Sequence, residues 1–179
     1  MEYSMRFLAL IALVSTLVTA QDKPSGFRGD VLGQIDFAGG RIMELAKAIP
    51  AEKFNWRPAE GVRSVAEVVM HVAGGNYFLL GMAGFKAKDL PKDYDKETNK
   101  EKILANLKES MDWAKDCVMK MSDKDLEAKT KIFGGQESTK GNVLLIMVGH
   151  HHEHLGQLIA YARSNGVVPP WSVKEGAKE

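Results

Sequence analysis

Four stretches of this chain repeat their apolar residues at intervals of three and four, and none alternates cleanly at period two over a strand's length. Such stripes are stable only when another helix covers them, so the chain is restricted to helices packed on helices. The first stretch runs from about Phe27 to Ile49. Val31, Ile35, Ala38, Ile42, Leu45 and Ile49 lie on one face, and Pro50 stops it. Trp56-Arg57-Pro58 with Gly61 makes a structured connection. The second stretch opens at Ser64, where Ser64 and Glu67 form an S-x-x-E capping box, and runs through Val65, Val68, Val69 and Val72 to Met82.

A lysine-rich connection comes next, Lys86–Glu97 with Pro91, read as a solvated loop in which interleaved acids offset the lysines. Thr98 and Glu101 predict a second capping box for the third helix, whose stripe is Ile103, Leu107, Met111, Ala114, Val118 and Met121. Ser122-Asp123-Lys124-Asp125 can cap one short turn, and Gly134-Gly135 breaks the segment after it. The fourth helix starts near Thr139 and ends at Asn165. Gly166 is placed for a left-handed C-terminal cap, and Pro169-Pro170 forbids continuation. The expected fold class is all-α, a four-helix bundle. Its three long connections permit crossovers, so an up-down-up-down order is not forced.

The segment before the first helix reads differently. Arg6, the apolar run Phe7–Val18 and the small-residue sequence Val18-Thr19-Ala20 are the three parts of a secretory signal peptide. The run is too short for a membrane span, which needs roughly 20 apolar residues. No cysteine follows Ala20 to carry a lipid, so no stable membrane anchor remains after cleavage. The alternative is a buried or frayed N-terminal helix. The expected organisation of the 179 residues is thus a signal peptide over 1–20, a short linker over 21–26, one bundle over 27–171 and a tail over 172–179. The product would be exported, to a periplasm or the outside.

Charge narrows the partners. The chain has 24 Lys and Arg against 23 Asp and Glu, and cleavage would remove Arg6 and Glu2 together, so the formal net charge stays at +1. A near-neutral chain carries no electrostatic footprint for nucleic acid or an anionic membrane. Cys117 is the only cysteine, so no internal disulfide forms and the core must hold the fold. Nothing beside Cys117 in sequence would activate it, and a buried structural thiol is the simpler reading. Composition leaves the oligomeric state open, a homodimer included.

All five histidines fall in two places: His71 on the second helix, and His150, His151, His152 and His154 on the fourth. At about 100° per residue, His150 and His154 lie about 40° apart, one turn from each other on one face. Val143, Ile146, Met147, Leu158 and Tyr161 surround that face, and His71 shares its own with Val68, Gly75, Phe78, Leu79 and Met82. Both helices therefore turn imidazoles inward. Buried imidazoles without partners are costly, and a divalent ion removes the cost by taking one nitrogen from each. Three neutral nitrogen ligands leave a coordination position open on Zn²⁺ or Ni²⁺, the arrangement of catalytic sites. Gln157 and Glu67 are candidates to hold the outer nitrogens. Against this stands the plainer reading, in which an inward histidine is a satisfied core residue and HxxxH a chance spacing. His152 points to solvent, and His151 lies between the two faces.

The residues themselves resemble a known family. Asn55-Trp56-Arg57-Pro58, Gly61 and Ser64-Val65-Ala66-Glu67 leading to His71-Val72-Ala73 are similar to the first half of the DinB-like superfamily. Gly149-His150-His151-His152-Glu153-His154-Leu155-Gly156-Gln157-Leu158, then Tyr161-Ala162-Arg163-Ser164-Asn165-Gly166 and Val168-Pro169-Pro170, resemble its last helix. The resemblance implies an up-up-down-down four-helix bundle with one metal held by three histidines, at positions matching His71, His150 and His154. It also implies a small-molecule substrate, since the family includes metal-dependent transferases using low-molecular-weight thiols and a thiol-dependent isomerase. Export departs from that pattern, because reduced thiols are scarce in oxidising compartments. Trp56 and Tyr161 are candidates to line the pocket, although for Trp56 packing of the connection is the simpler role. Three function classes stay open: a metal-dependent transferase or hydrolase, a metal- or ligand-binding bundle without turnover, and a helical interaction protein with a vestigial site.

Overall fold

A computed structural model of the chain describes residues 24–173. The leader reading over 1–20 lies outside the described residues. Four rods build the bundle. The first is α1 (Gly26–Gln34) continued through a π turn (Ile35–Gly39) into α2 (Gly40–Ala48). The second is α3 (Val65–Met82) and the third α4 (Lys100–Lys120). A short capped turn, α5 (Asp123–Glu127), precedes the fourth, α6 (Lys140–Ser164). Every apolar position of the first and third stripes is buried, and Ile42, Leu45, Val68, Val69, Val72, Ile103, Leu107, Val143, Leu144, Met147 and Leu158 are fully enclosed. The stripes pack as their spacing requires.

The caps explain where the rods start. Ser64 Oγ accepts the Glu67 N–H at 3.2 Å while Glu67 Oε2 accepts the Ser64 N–H at 2.7 Å, the reciprocal box read from sequence. At α4 the box at Thr98 does not form. Asn99 caps instead, its Oδ1 accepting the Lys102 N–H at 2.9 Å, and Glu97 Oε1 takes the N–H groups of Thr98 and Asn99. Asn is the stronger N-cap, and a carboxylate just before the helix serves the free amides as well as one inside it. The last rod is capped by Thr139 and closed by Gly166 at φ 75°, a left-handed position suited to glycine.

Cross-helix contacts fix the directions. Arg28 of α1 donates to the Met121 carbonyl and pairs with Asp123, beyond the far end of α4, whereas Lys100 at the start of α4 donates to the Lys47 and Ile49 carbonyls at the end of α2. The first rod and α4 are antiparallel. Asn106 and Ser110 of α4 meet Met70 and Asn76 of α3 in rising order, so those two are parallel. Residues 150 and 161 of α6 meet residues 71 and 63, so α6 opposes α3. The order is therefore up-down-down-up, not the up-up-down-down expected from the resemblance. The reason lies in the connection from α3 to α4: it runs back along the bundle, and Tyr94 packs against Gly74 on the way. Although much of it is exposed, that connection is seated on α3 and is more than a solvated loop.

A small antiparallel hairpin lies between α5 and α6. Its strands are β1 (Lys129–Lys131) and β2 (Glu137–Thr139), with Thr130 opposite Ser138. Strands of three residues are too short for period-two patterning to reveal. Gly134 and Gly135 make its turn at φ 66° and 81°. Phe78, placed by the helical wheel on the inward face of α3, is 59% exposed and stacks on Phe133 of this hairpin at 6.2 Å.

Candidate metal centre

α3 and α6 cross antiparallel with their inward histidines at the same level. His71, His150 and His154 each offer one nitrogen, and the three nitrogens lie within 4.8 Å of one another. The ring centroids are 4.8 Å apart from His71 to each of the others and 4.4 Å between His150 and His154. His154 is buried, while His71 and His150 are half-buried.

Close approach of α3 and α6 depends on one residue. A Cβ at Gly75 would lie 2.6 Å from Cε1 and 3.1 Å from Nδ1 of His150, so only glycine leaves room for that ring. Helix-interior glycine costs about 1 kcal/mol relative to alanine. Here the ring of His150 occupies the space that the missing methyl leaves.

The hydrogen bonds around His154 run in one direction. Tyr161 Oη donates to the Arg63 carbonyl at 3.1 Å, and Gln157 Nε2 donates to Tyr161 Oη at 2.9 Å. The Gln157 amide must then present Oε1 to His154 Nδ1, 2.8 Å away, as an acceptor. His154 therefore carries its proton on Nδ1 and points the lone pair of Nε2 toward the other two histidines. Gln157 is the residue that holds the outer nitrogen. Glu67, the other sequence candidate, is committed elsewhere, to the Ser64 amide and to Arg57 at 3.1 Å. Trp56 packs edge-on against Tyr161 at 5.3 Å and braces the chain of hydrogen bonds.

The donor chemistry fits a divalent ion. His150 Nε2 and His71 Nε2 face each other at 3.1 Å, which two neutral imidazoles tolerate only by sharing a proton or a cation. Burial depresses the pKa of His71 to about 4 and of His150 to about 3, with the charges of neighbouring histidines and of Arg63 acting in the same direction. The rings are thus neutral at pH 7, and an ion would have only the single proton shared between His71 and His150 to displace. Among the described residues, no fourth protein donor is grouped with the three histidine nitrogens.

One functional feature escaped the sequence reading. His151 is fully buried, and its Nε2 donates to Asn76 Oδ1 at 2.6 Å. Asn76 Nδ2 donates to Ser110 Oγ at 3.1 Å, and Ser110 donates to the Leu107 carbonyl at 2.9 Å. This chain ties α6, α3 and α4 together beside Gly75 and His150, fixing their register at the histidine level. Asn76 and Ser110 gave no signal because single polar residues inside an apolar stripe have no spacing to recognise. His152 is exposed as expected, with Nε2 2.8 Å from Gln34 Oε1. Cys117 is buried and its thiol is pushed up to about 11 by burial, so it stays protonated.

The site predicts distinct behaviour with metal and without it. Removing the outer acceptor with Gln157→Ala should weaken metal affinity by roughly 10- to 100-fold, measured by competition with a chromophoric chelator, with the bundle intact. For the metal-free protein, His71, His150 and His151 have folded-state pKa values below the ordinary 6.5. The unfolded chain therefore binds more protons, and stability falls as pH drops from about 6.5 towards 3. Melting temperatures recorded across that range should decline, and His151→Phe should flatten part of the decline.

Among curated proteins none matches this sequence. The family model of the DinB superfamily matches residues 34–158, most of the chain. The chain belongs to the DinB superfamily. Solved DinB-like structures share its fold. One from Bacillus cereus is 20% identical, covers 80% of this chain and 95% of its own, and superposes with a TM-score of 0.71. YfiT from Bacillus subtilis, described as a probable metal-dependent hydrolase with an unusual four-helix bundle topology, is 15% identical over 79% of this chain and 89% of its own, TM-score 0.63. The colibactin self-resistance protein ClbS, solved in complex with double-stranded DNA, is 18% identical over 76% of this chain and 95% of its own, TM-score 0.59. At these identities the likeness is one of fold. ClbS is a DNA complex, which runs against the expectation, drawn from near-neutral charge, that this chain has no nucleic-acid partner.

Proposed function

We propose that this protein is an exported enzyme that holds one divalent ion, Zn²⁺ or Ni²⁺, with His71, His150 and His154, and acts as a transferase or hydrolase on a small molecule. The observation that carries this is the convergence of three neutral imidazole nitrogens within 4.8 Å, one of them from His71, which also lines a neighbouring cleft. That cleft has a volume of about 350 Å³, and His71 lines it with Arg57, Gly61, Val62, Arg63, Glu67, Asp95 and Lys96. An ion held there would act as a Lewis acid towards a substrate carbonyl or acidify a bound nucleophile. The chain's own residues supply the rest. Gln157 and Tyr161 hold His154 in one tautomer, and the Asn76–His151 link holds the register.

Export is part of the proposal and is supported by the leader pattern of residues 1–20. It favours hydrolysis over thiol transfer, for want of reduced thiol outside the cell. Purified protein should turn over a member of a panel of esters, amides and thiol-reactive electrophiles, lose that activity on chelation, and regain it with Zn²⁺ or Ni²⁺. Undiminished activity after complete stripping would overturn the reading.

A second reading, a metal-binding bundle without turnover, is favoured by one observation. Glu67, the carboxylate of the cleft wall nearest in sequence to His71, is committed to Ser64 and Arg57 and is not free to act as a base. It requires a metal-dependent rise in melting temperature with no reaction across the same panel.

A further inference from the structure

The cleft that His71 lines also carries three cations, Arg57, Arg63 and Lys96, and two carboxylates, Glu67 and Asp95. Two of these charges cancel. Arg57 pairs with Glu67 at 3.1 Å and donates to the Val62 carbonyl at 2.9 Å, and Glu67 also serves the helix cap. Among the lining residues what remains is Arg63 and Lys96 against Asp95, a balance of +1 that a divalent ion would raise to +3, with the exposed Glu153 of α6 felt at His71 in the opposite sense to Arg63. Neither the Arg63 nor the Lys96 side chain makes a hydrogen bond or ion pair among the described residues, and both are exposed at the rim.

Arg63 is also the better placed of the two. Its carbonyl anchors the Tyr161 hydroxyl, and Tyr161 anchors Gln157, which anchors His154. The backbone that carries the guanidinium is therefore pinned to the histidine cluster while the guanidinium itself is free. Its charge is felt at His71 and His150, second to burial at His71. A guanidinium that shares the cleft with His71 and is left without a partner is suited to a planar anion, which it can engage through two parallel N–H donors.

We propose that the substrate is a small molecule carrying a carboxylate or similar anionic group, held at the rim by Arg63 with Lys96 assisting, while its reacting group lies at the three histidines. This rests on the metal-site reading above and adds the chemical class of the substrate. It also gives a reason for an exposed arginine one residue before the Ser64 cap, where the fold itself needs only the backbone.

The test uses the purified protein loaded with Co²⁺, whose visible spectrum reports ligands entering the open position without any turnover. The probes are acetohydroxamate and its two carboxylate-terminated homologues built on succinate and glutarate, which share one chelating head. At low salt at least one homologue should bind roughly 5- to 10-fold tighter than acetohydroxamate, the gain of one charge-assisted contact at a half-open site. The preference should fade with added salt. Arg63→Gln should bring the preference to within about twofold while Co²⁺ content stays as it is and acetohydroxamate, which offers the rim no second anion, changes less than its carboxylate homologues. Equal binding of all three probes by the unaltered protein, or a preference that survives Arg63→Gln, would overturn the inference while leaving the metal site standing. Failure to take up Co²⁺ at all would instead overturn the metal reading and this inference with it.

Discussion

His71→Ala is expected to leave a folded bundle that no longer retains its ion. The side chain is half-buried on α3, where alanine is the best helix former, so the metal-free fold should be little affected. The donor set, however, drops from three nitrogens on two helices to an i,i+4 pair on one. Affinity should fall by more than about 100-fold, beyond what loss of an outer hydrogen bond causes. The native protein should gain about 4 kcal/mol of stability at metal concentrations a thousand times Kd, and the variant almost none. Metal analysis together with melting curves, with and without Zn²⁺, measures both. One ion per chain and an undiminished melting shift in His71→Ala would place the ion elsewhere.

Gly75→Ala should forfeit the stabilisation this change usually brings and weaken the hold on the ion. In most helices this change stabilises by up to about 1 kcal/mol. Here the new methyl would meet the His150 ring at 2.6 Å, backed by α6 and its buried contacts, and the ring must swing away from His71. In the metal-free protein the lost ring contact and the gained helix propensity offset, so the melting temperature should change little. In the loaded protein one donor is misplaced, and affinity should fall by roughly 10- to 100-fold, similar to loss of a supporting residue. The variant thus separates a packing role for Gly75 from its service to the site. Native metal affinity in Gly75→Ala would show that the ring can yield without leaving the ion.

Much of the fold was legible because helices write a periodic record. The stripes at Val31–Ile49 and Ile103–Met121 are buried residue for residue, and the Ser64 and Thr139 caps sit where the side-chain chemistry places them. Thr98 misled because two caps competed within two residues and the stronger one, Asn99, prevailed with help from Glu97. Phe78 misled for a different reason. A helical wheel gives direction only relative to its own axis, and the hairpin that receives Phe78 had left no pattern in the sequence.

The candidate site divides in the same way. Spacing alone put His150 and His154 on one face and gave Gln157 a place one turn further on. Depth and partnership were not written there: Glu67 went to the cap, His151 to Asn76, and Gly75 to the space beneath a ring.

By itself the sequence determined which residues line each helix face and where each helix starts and stops, because those depend on neighbours three or four positions away. Only the tertiary structure decided the up-down-down-up order, the level at which α3 meets α6, and the partner each polar side chain takes. Those depend on contacts between residues some 80 positions apart, such as His71 with His150. No local spacing encodes a contact that the chain makes only once its helices have packed.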